Sequence, residues 1–130
     1  MKRRLSVRSE RGQTMVEFTI ILPILVVLIL SIAQFGIAFN NYVTLTDAVR
    51  AGSRQAAVGR SLPDPTGASI ARVRSSAANL NQSQLNVTVS SPWTAGSDVT
   101  ITATYPYSIN ILGWSVAAGN LTSRTTERVE

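Results

Sequence analysis

The sequence predicts an α+β chain: a long N-terminal transmembrane helix continuing into a small extracytoplasmic domain with a second helix and an antiparallel sheet of about three strands. Three observations predict it. Phe18 to Phe39 is an apolar run that no charged residue interrupts. Beyond it, apolar residues keep recurring at three- and four-residue intervals as far as Ala56. After the breaker segment Ser61–Gly67, apolar and polar residues begin to alternate in short runs.

The basic residues stand at the front. Residues 1–12 hold Lys2, Arg3, Arg4, Arg8 and Arg11 against Glu10, so this leader carries most of the net charge of +5. Basicity confined to one end is a tag, not a nucleic-acid-binding face, and no nucleic-acid partner is expected. The apolar run that follows is about 33 Å long as a helix and matches the hydrocarbon core of a bilayer. It is apolar on all faces, unlike the helix of a soluble protein surface. Its polar members are Thr19, Ser31 and Gln34, and it holds Pro23, which lipid-embedded helices tolerate. Five basic residues precede the run and none stands between Asn40 and Asp47. The positive-inside rule then puts the N-terminus in the cytoplasm and residues 40–130 outside.

Composition narrows the chemistry. The 130 residues include neither cysteine nor histidine. Disulfides, thiol catalysis, thiolate or imidazole metal sites and a histidine general base are therefore all excluded. The acids Glu10, Glu17, Asp47, Asp64, Asp98, Glu127 and Glu130 are scattered, without the spacing of a catalytic pair. No enzyme, cofactor, metal or small-molecule substrate is expected.

The junction of leader and helix reads Gly12-Gln13-Thr14-Met15-Val16-Glu17-Phe18. A carboxylate at the edge of a lipid-spanning run is costly and calls for a reason. The pattern of a glycine, four residues, a glutamate and an aromatic resembles the type IV prepilin processing site, most closely that of the tight-adherence (Tad/Flp) pilus branch. The wider stretch is similar to the TadE/TadG-like family, in which a GQ…VEF…LP opening, an FG pair and a following Ala- and Arg-rich stretch recur. Here these are Gly12, Gln13, Val16, Glu17, Phe18, Leu22, Pro23, Phe35, Gly36, Ala48, Arg50, Ala51, Gly52, Arg54 and Ala56. The likeness covers about residues 11–60.

The resemblance implies a pseudopilin, a minor pilin-like subunit of a Tad/Flp-type pilus assembly or secretion apparatus, in the bacterial inner membrane or incorporated into a pilus. A membrane-embedded prepilin peptidase would cut after Gly12 and make Gln13 the new N-terminus. Glu17 would then neutralise the N-terminal amine of a neighbouring subunit, with Phe18 beside it setting register. Other pilin or Tad assembly subunits and the membrane are the implied partners. Two readings compete. Ser31-Ile32-Ala33 and Gly36-Ile37-Ala38 have the small-residue spacing of a signal peptidase site, which would release a soluble binding protein. Without any cleavage the chain is a single-span anchor with an outer binding domain.

Beyond the membrane, Phe35, Phe39, Tyr42, Leu45, Val49, Gly52 and Ala56 form a narrow apolar stripe for packing on a partner helix or on the chain's own domain. Asn40, Asn41, Thr44, Asp47, Arg50, Ser53 and Arg54 fill the other face. The expected boundaries are a leader 1–12, a helix 13–58 ending before Gly59, and an outer domain 59–130. A second helix is expected from Ala68 to Leu80. Leu85, Val87 and Val89 mark one strand, and Val99, Ile101, Ala103 and Tyr105 a second that Pro106 ends. Residues 107–119 read as an apolar connection and Leu121–Val129 as a last strand. Trp93, Tyr105, Tyr107 and Trp114 suit either the core or an exposed adhesive patch. Asn86-Val87-Thr88 and Asn120-Leu121-Thr122 match the glycosylation pattern by chance.

Overall fold

The computed structural model describes residues 7–130, with side chains from residue 12 onward. Lys2, Arg3 and Arg4 lie outside the described residues, as do the side chains of Arg8 and Arg11. Two helices and a three-stranded sheet follow one another in the order α1 (Val7–Val58), α2 (Pro65–Ser76), β1 (Asn86–Ser90), β2 (Asp98–Ile111) and β3 (Trp114–Arg128). The α+β reading stands.

Helix α1 is unbroken over 52 residues, about 78 Å of helix. It begins before the expected start at Gln13, because nothing in Arg8 to Gly12 opposes helix strongly enough to stop it. Its end comes at Val58. A side chain on Gly59 would run into the Gln55 carbonyl at 2.8 Å, so only glycine allows the chain to turn there. Helix α2 starts one turn earlier than its apolar periodicity suggests. Asp64 caps it, its Oδ1 accepting from the Gly67 N–H at 2.8 Å, and Pro65 supplies a preset φ at the first helical position. The proline-rich segment that reads as a breaker is thus also a starter. The helix stops at Ser76, short of Leu80, where the Gln82 side-chain amide donates to the Ala77 carbonyl at 2.8 Å. Asp64→Ala is expected to lower the stability of the outer domain by about 1 kcal/mol, read as a lower thermal midpoint with the α1 span unaffected.

The sheet is an antiparallel meander in the order β1-β2-β3, with both helices on one face. Strand β2 alternates in burial, placing Val99, Ile101, Ala103 and Tyr105 on the helices. They meet Leu45, Ala48, Val49 and Ala56 of α1, Val73 of α2, Ala77 just beyond its end, and Val129 after β3. The opposite face is open and rich in threonine, with Thr100 and Thr126 hydrogen-bonded across the strands at 3.0 Å. Arg74 ties α2 to the loop that leads into β1 by donating to the carbonyls of Gln82 and Leu85 at 2.9 and 3.3 Å.

Two expectations are corrected here. Pro106 does not end β2, which continues to Ile111. Strand β1 pairs β2 only as far as Thr104, so at Pro106 one edge is open and a missing N–H costs no ladder bond. Residues 107–119 are not a connection but the far half of a long β2–β3 hairpin. It closes through Leu112 and Gly113, both at positive φ (52° and 88°), as a two-residue turn. The register slips between Ile109 and Asn110, leaving Val116 unpaired as a β-bulge.

Candidate processing and assembly site

Gly12, Gln13, Glu17 and Phe18 all lie on α1 near its start. The i, i+4 spacing puts Gln13 and Glu17 on one face, and the Gln13 side-chain amide donates to Glu17 Oε1 at 3.1 Å. Among the described residues nothing outside the helix's own backbone lies within 4 Å of where a side chain on Gly12 would begin. Phe18 projects from the helix next to Glu17 without cover, as do Met15, Val16, Ile20 and Ile21. The carboxylate therefore stands in a collar of bare apolar side chains. Its charge would be left unbalanced in lipid unless a cation from another chain, or a new amine one turn away, came to it.

The helix meets the demands of the apolar run locally. Thr19 and Ser31 turn their hydroxyls back onto the carbonyls of Met15 and Val27, at 2.8 and 2.7 Å. These bonds hide two polar groups that lipid could not satisfy. Pro23 is accommodated inside the helix. Among the described residues one helix, Gly12–Val58, is long and apolar enough to cross a membrane, and none of its apolar window is buried by the rest of the chain. The span is compatible with a single-pass membrane anchor.

The apolar stripe divides in two. Leu45, Val49, Gly52 and Ala56 are buried against the chain's own domain. Phe35, Phe39 and Tyr42 are exposed, with the rings of Phe35 and Phe39 stacked at 6.5 Å. Periodicity along the chain cannot separate these halves, because only the position of the sheet decides which turns of α1 are covered. Ala48 and Ser53 belong to the buried seam as well. Ser53 reads as solvent-facing in the sequence, yet it is fully buried, its hydroxyl satisfied by the Val49 carbonyl at 2.9 Å. A small residue that can bond its own backbone is at home in a tight helix crossing.

The exposed half faces a groove of about 430 Å³ between α1 and the hairpin. Phe35, Ala38, Phe39 and Tyr42 line one wall, and Tyr107, Ile109 and Leu121 the other. The four aromatics singled out in the sequence separate. Tyr105 is in the core, its hydroxyl accepting from the Asn81 N–H at 3.4 Å, whereas Trp114 is fully exposed at the hairpin tip.

No curated protein and no solved structure matches the chain. A family model does match, over residues 12–54, and the chain from Gln55 onward lies beyond it. Over that span, from Gly12 and Glu17 through the first turns of the buried seam, the chain is similar to the TadE-like protein family.

Proposed function

We propose that this chain is a minor pilin-like subunit of a Tad/Flp-type pilus assembly or secretion apparatus, processed after Gly12 by a prepilin peptidase. The observation that carries the reading is Glu17, hydrogen-bonded to Gln13 one turn away on a bare apolar helix. Cleavage after Gly12 makes Gln13 the terminal residue, and its amine then lies within one turn of the carboxylate. In an assembly the same carboxylate serves the amine of a neighbouring copy or of another pilin, and the pairing sets register. The N-terminus lies in the cytoplasm and residues 40–130 outside the inner membrane. The role is structural, and no catalytic group is assigned.

The test is the mature N-terminus of tagged chain produced with and without the cognate peptidase. A start at Gln13 is expected with the peptidase, and full loss of that cleavage in Gly12→Ala. This substitution is clean because the site is open and alanine favours helix over glycine by about 1 kcal/mol. A peptidase-independent intact N-terminus sinks the reading. It would favour the uncleaved single-span anchor, for which the continuity of α1 through Gly12 speaks. A start near Gln34 or Phe39 would make the chain a secreted protein.

A further inference from the structure

Strand β2 starts at the end of α1 farthest from the apolar run. There the chain returns after β3 and the Glu130 N–H donates to the Ala57 carbonyl at 2.9 Å. It then runs back toward the membrane. Tyr105 to Ser108 flank Gln34, Ile37, Ala38 and Asn41, and Tyr107 and Ile109 face Phe35 and Phe39 across the groove. The strand continues past this level to Ile111 before it turns at Leu112–Gly113. The turn therefore lies beyond the level of Ile109, at the end of the sheet nearest the apolar run of α1.

The tip has the wrong composition for water. Leu112, Trp114 and Val116 are 67, 78 and 64% exposed. No residue from Val99 to Ser123 carries a charge. The turn itself is of a kind that favours asparagine or glycine at its first position, yet Leu112 holds φ of 52° there. A leucine kept in a backbone conformation that it resists, with its side chain bare, points to a use for that side chain.

We propose that the hairpin tip dips into the outer membrane–water interface of the bilayer that α1 spans, giving the outer domain a second hold on the lipid. The inference rests on α1 being membrane-inserted. A tryptophan two positions from Leu112 and from Val116, with Asn110, Ser115 and Asn120 close by in sequence, suits interfacial depth. Deeper insertion is opposed by the open edge of β2, whose backbone groups must keep water within reach beyond Thr104. The tip thereby fixes how α1 and the sheet stand relative to the bilayer plane.

The test uses the full chain, one per lipid nanodisc, with brominated or ordinary zwitterionic lipids. Trp93→Phe leaves Trp114 as the sole tryptophan, and Trp114→Phe leaves Trp93, which packs on the core at the opposite end of the sheet. Trp114 emission is expected to be blue-shifted and largely lost in brominated lipid, with Trp93 unaffected. Leu112→Asp is expected to restore most of the Trp114 emission and shift it to the red. An unchanged Trp93 spectrum when Leu112→Asp is combined with Trp114→Phe shows that the domain still folds. Trp114 emission indifferent to bromine overturns the proposal. So does a blue shift that arises only when several chains share a disc, which would assign the tip to a second copy. Release of the chain by carbonate extraction would instead remove the anchor itself, and is read separately.

Discussion

Glu17→Gln is expected to leave the outer domain folded and the anchor in the membrane, yet to remove the chain from the assembly. The substitution keeps the size of the side chain and its ability to accept from Gln13, and removes only the charge. In the proposed assembly a neighbour's amine would then be left unpaired in a low-dielectric bundle. Breaking such a pair costs about 3–5 kcal/mol. At about 1.4 kcal/mol per tenfold, incorporation falls by at least roughly 100-fold. The measurement is the fraction of tagged chain recovered with the sheared or co-purified assembly, against the fraction left in the membrane. Glu17→Asp, which retains charge but shortens the reach, should incorporate partially. If Glu17→Gln assembles as well as the wild type, the carboxylate plays no part in pairing.

The second large effect is expected at Gly52, where α1 crosses α2 and the central strand. A side chain there would clash with Val73 and meet Ile101 Cδ1 and the Ser69 carbonyl at 3.3 Å. Val73 is stiff about its first torsion and the carbonyl belongs to helix α2, so neither can give way cheaply. Gly52→Ala gains about 1 kcal/mol of helix propensity and loses about 1–3 kcal/mol to overpacking, so a small net loss is expected. Gly52→Leu inserts far more volume and must lift α2 from the sheet. The cost is comparable with the entire stability of a domain this small, about 5 kcal/mol. Purified full chain in detergent should lose its near-ultraviolet dichroism and its resistance of residues 59–130 to protease, while the α1 span stays helical. A Gly52→Leu chain that melts like the wild type would show that the crossing is looser than the structure has it.

How much of this was legible in the sequence depends on the range of the interaction concerned. The apolar run and the alternation from Val99 to Tyr105 are local patterns, and each reads correctly as an element, a helix and a strand. That Leu45, Val49 and Ala56 share one face follows from helical period, whereas their place in the core depends on where the sheet lies. What failed were inferences that need a neighbour. Pro106 ends a strand only if both edges are paired, and β1 is too short to pair the second. Ser53 is polar by type and buried by place. The hairpin turn lacks the asparagine–glycine signal that normally announces one, so Leu112 and Trp114 read as part of an apolar connection. The onset of α2 was signalled by Asp64-Pro65, but a proline pair in a loop looks the same as a cap and first turn until the helix behind it is seen.

The continuity of α1 has a mechanical consequence. Between Gly36 and Gly52 the helix holds neither glycine nor proline, and its last turns are clamped in the core. The apolar span and the sheet are therefore joined by a shaft without a universal joint. Any rotation imposed on the span is delivered undiminished to the sheet. An inserted residue in Asn40–Thr44 would turn the domain by about 100° and advance it by about 1.5 Å, whereas seven inserted residues would bring it back nearly to its starting azimuth.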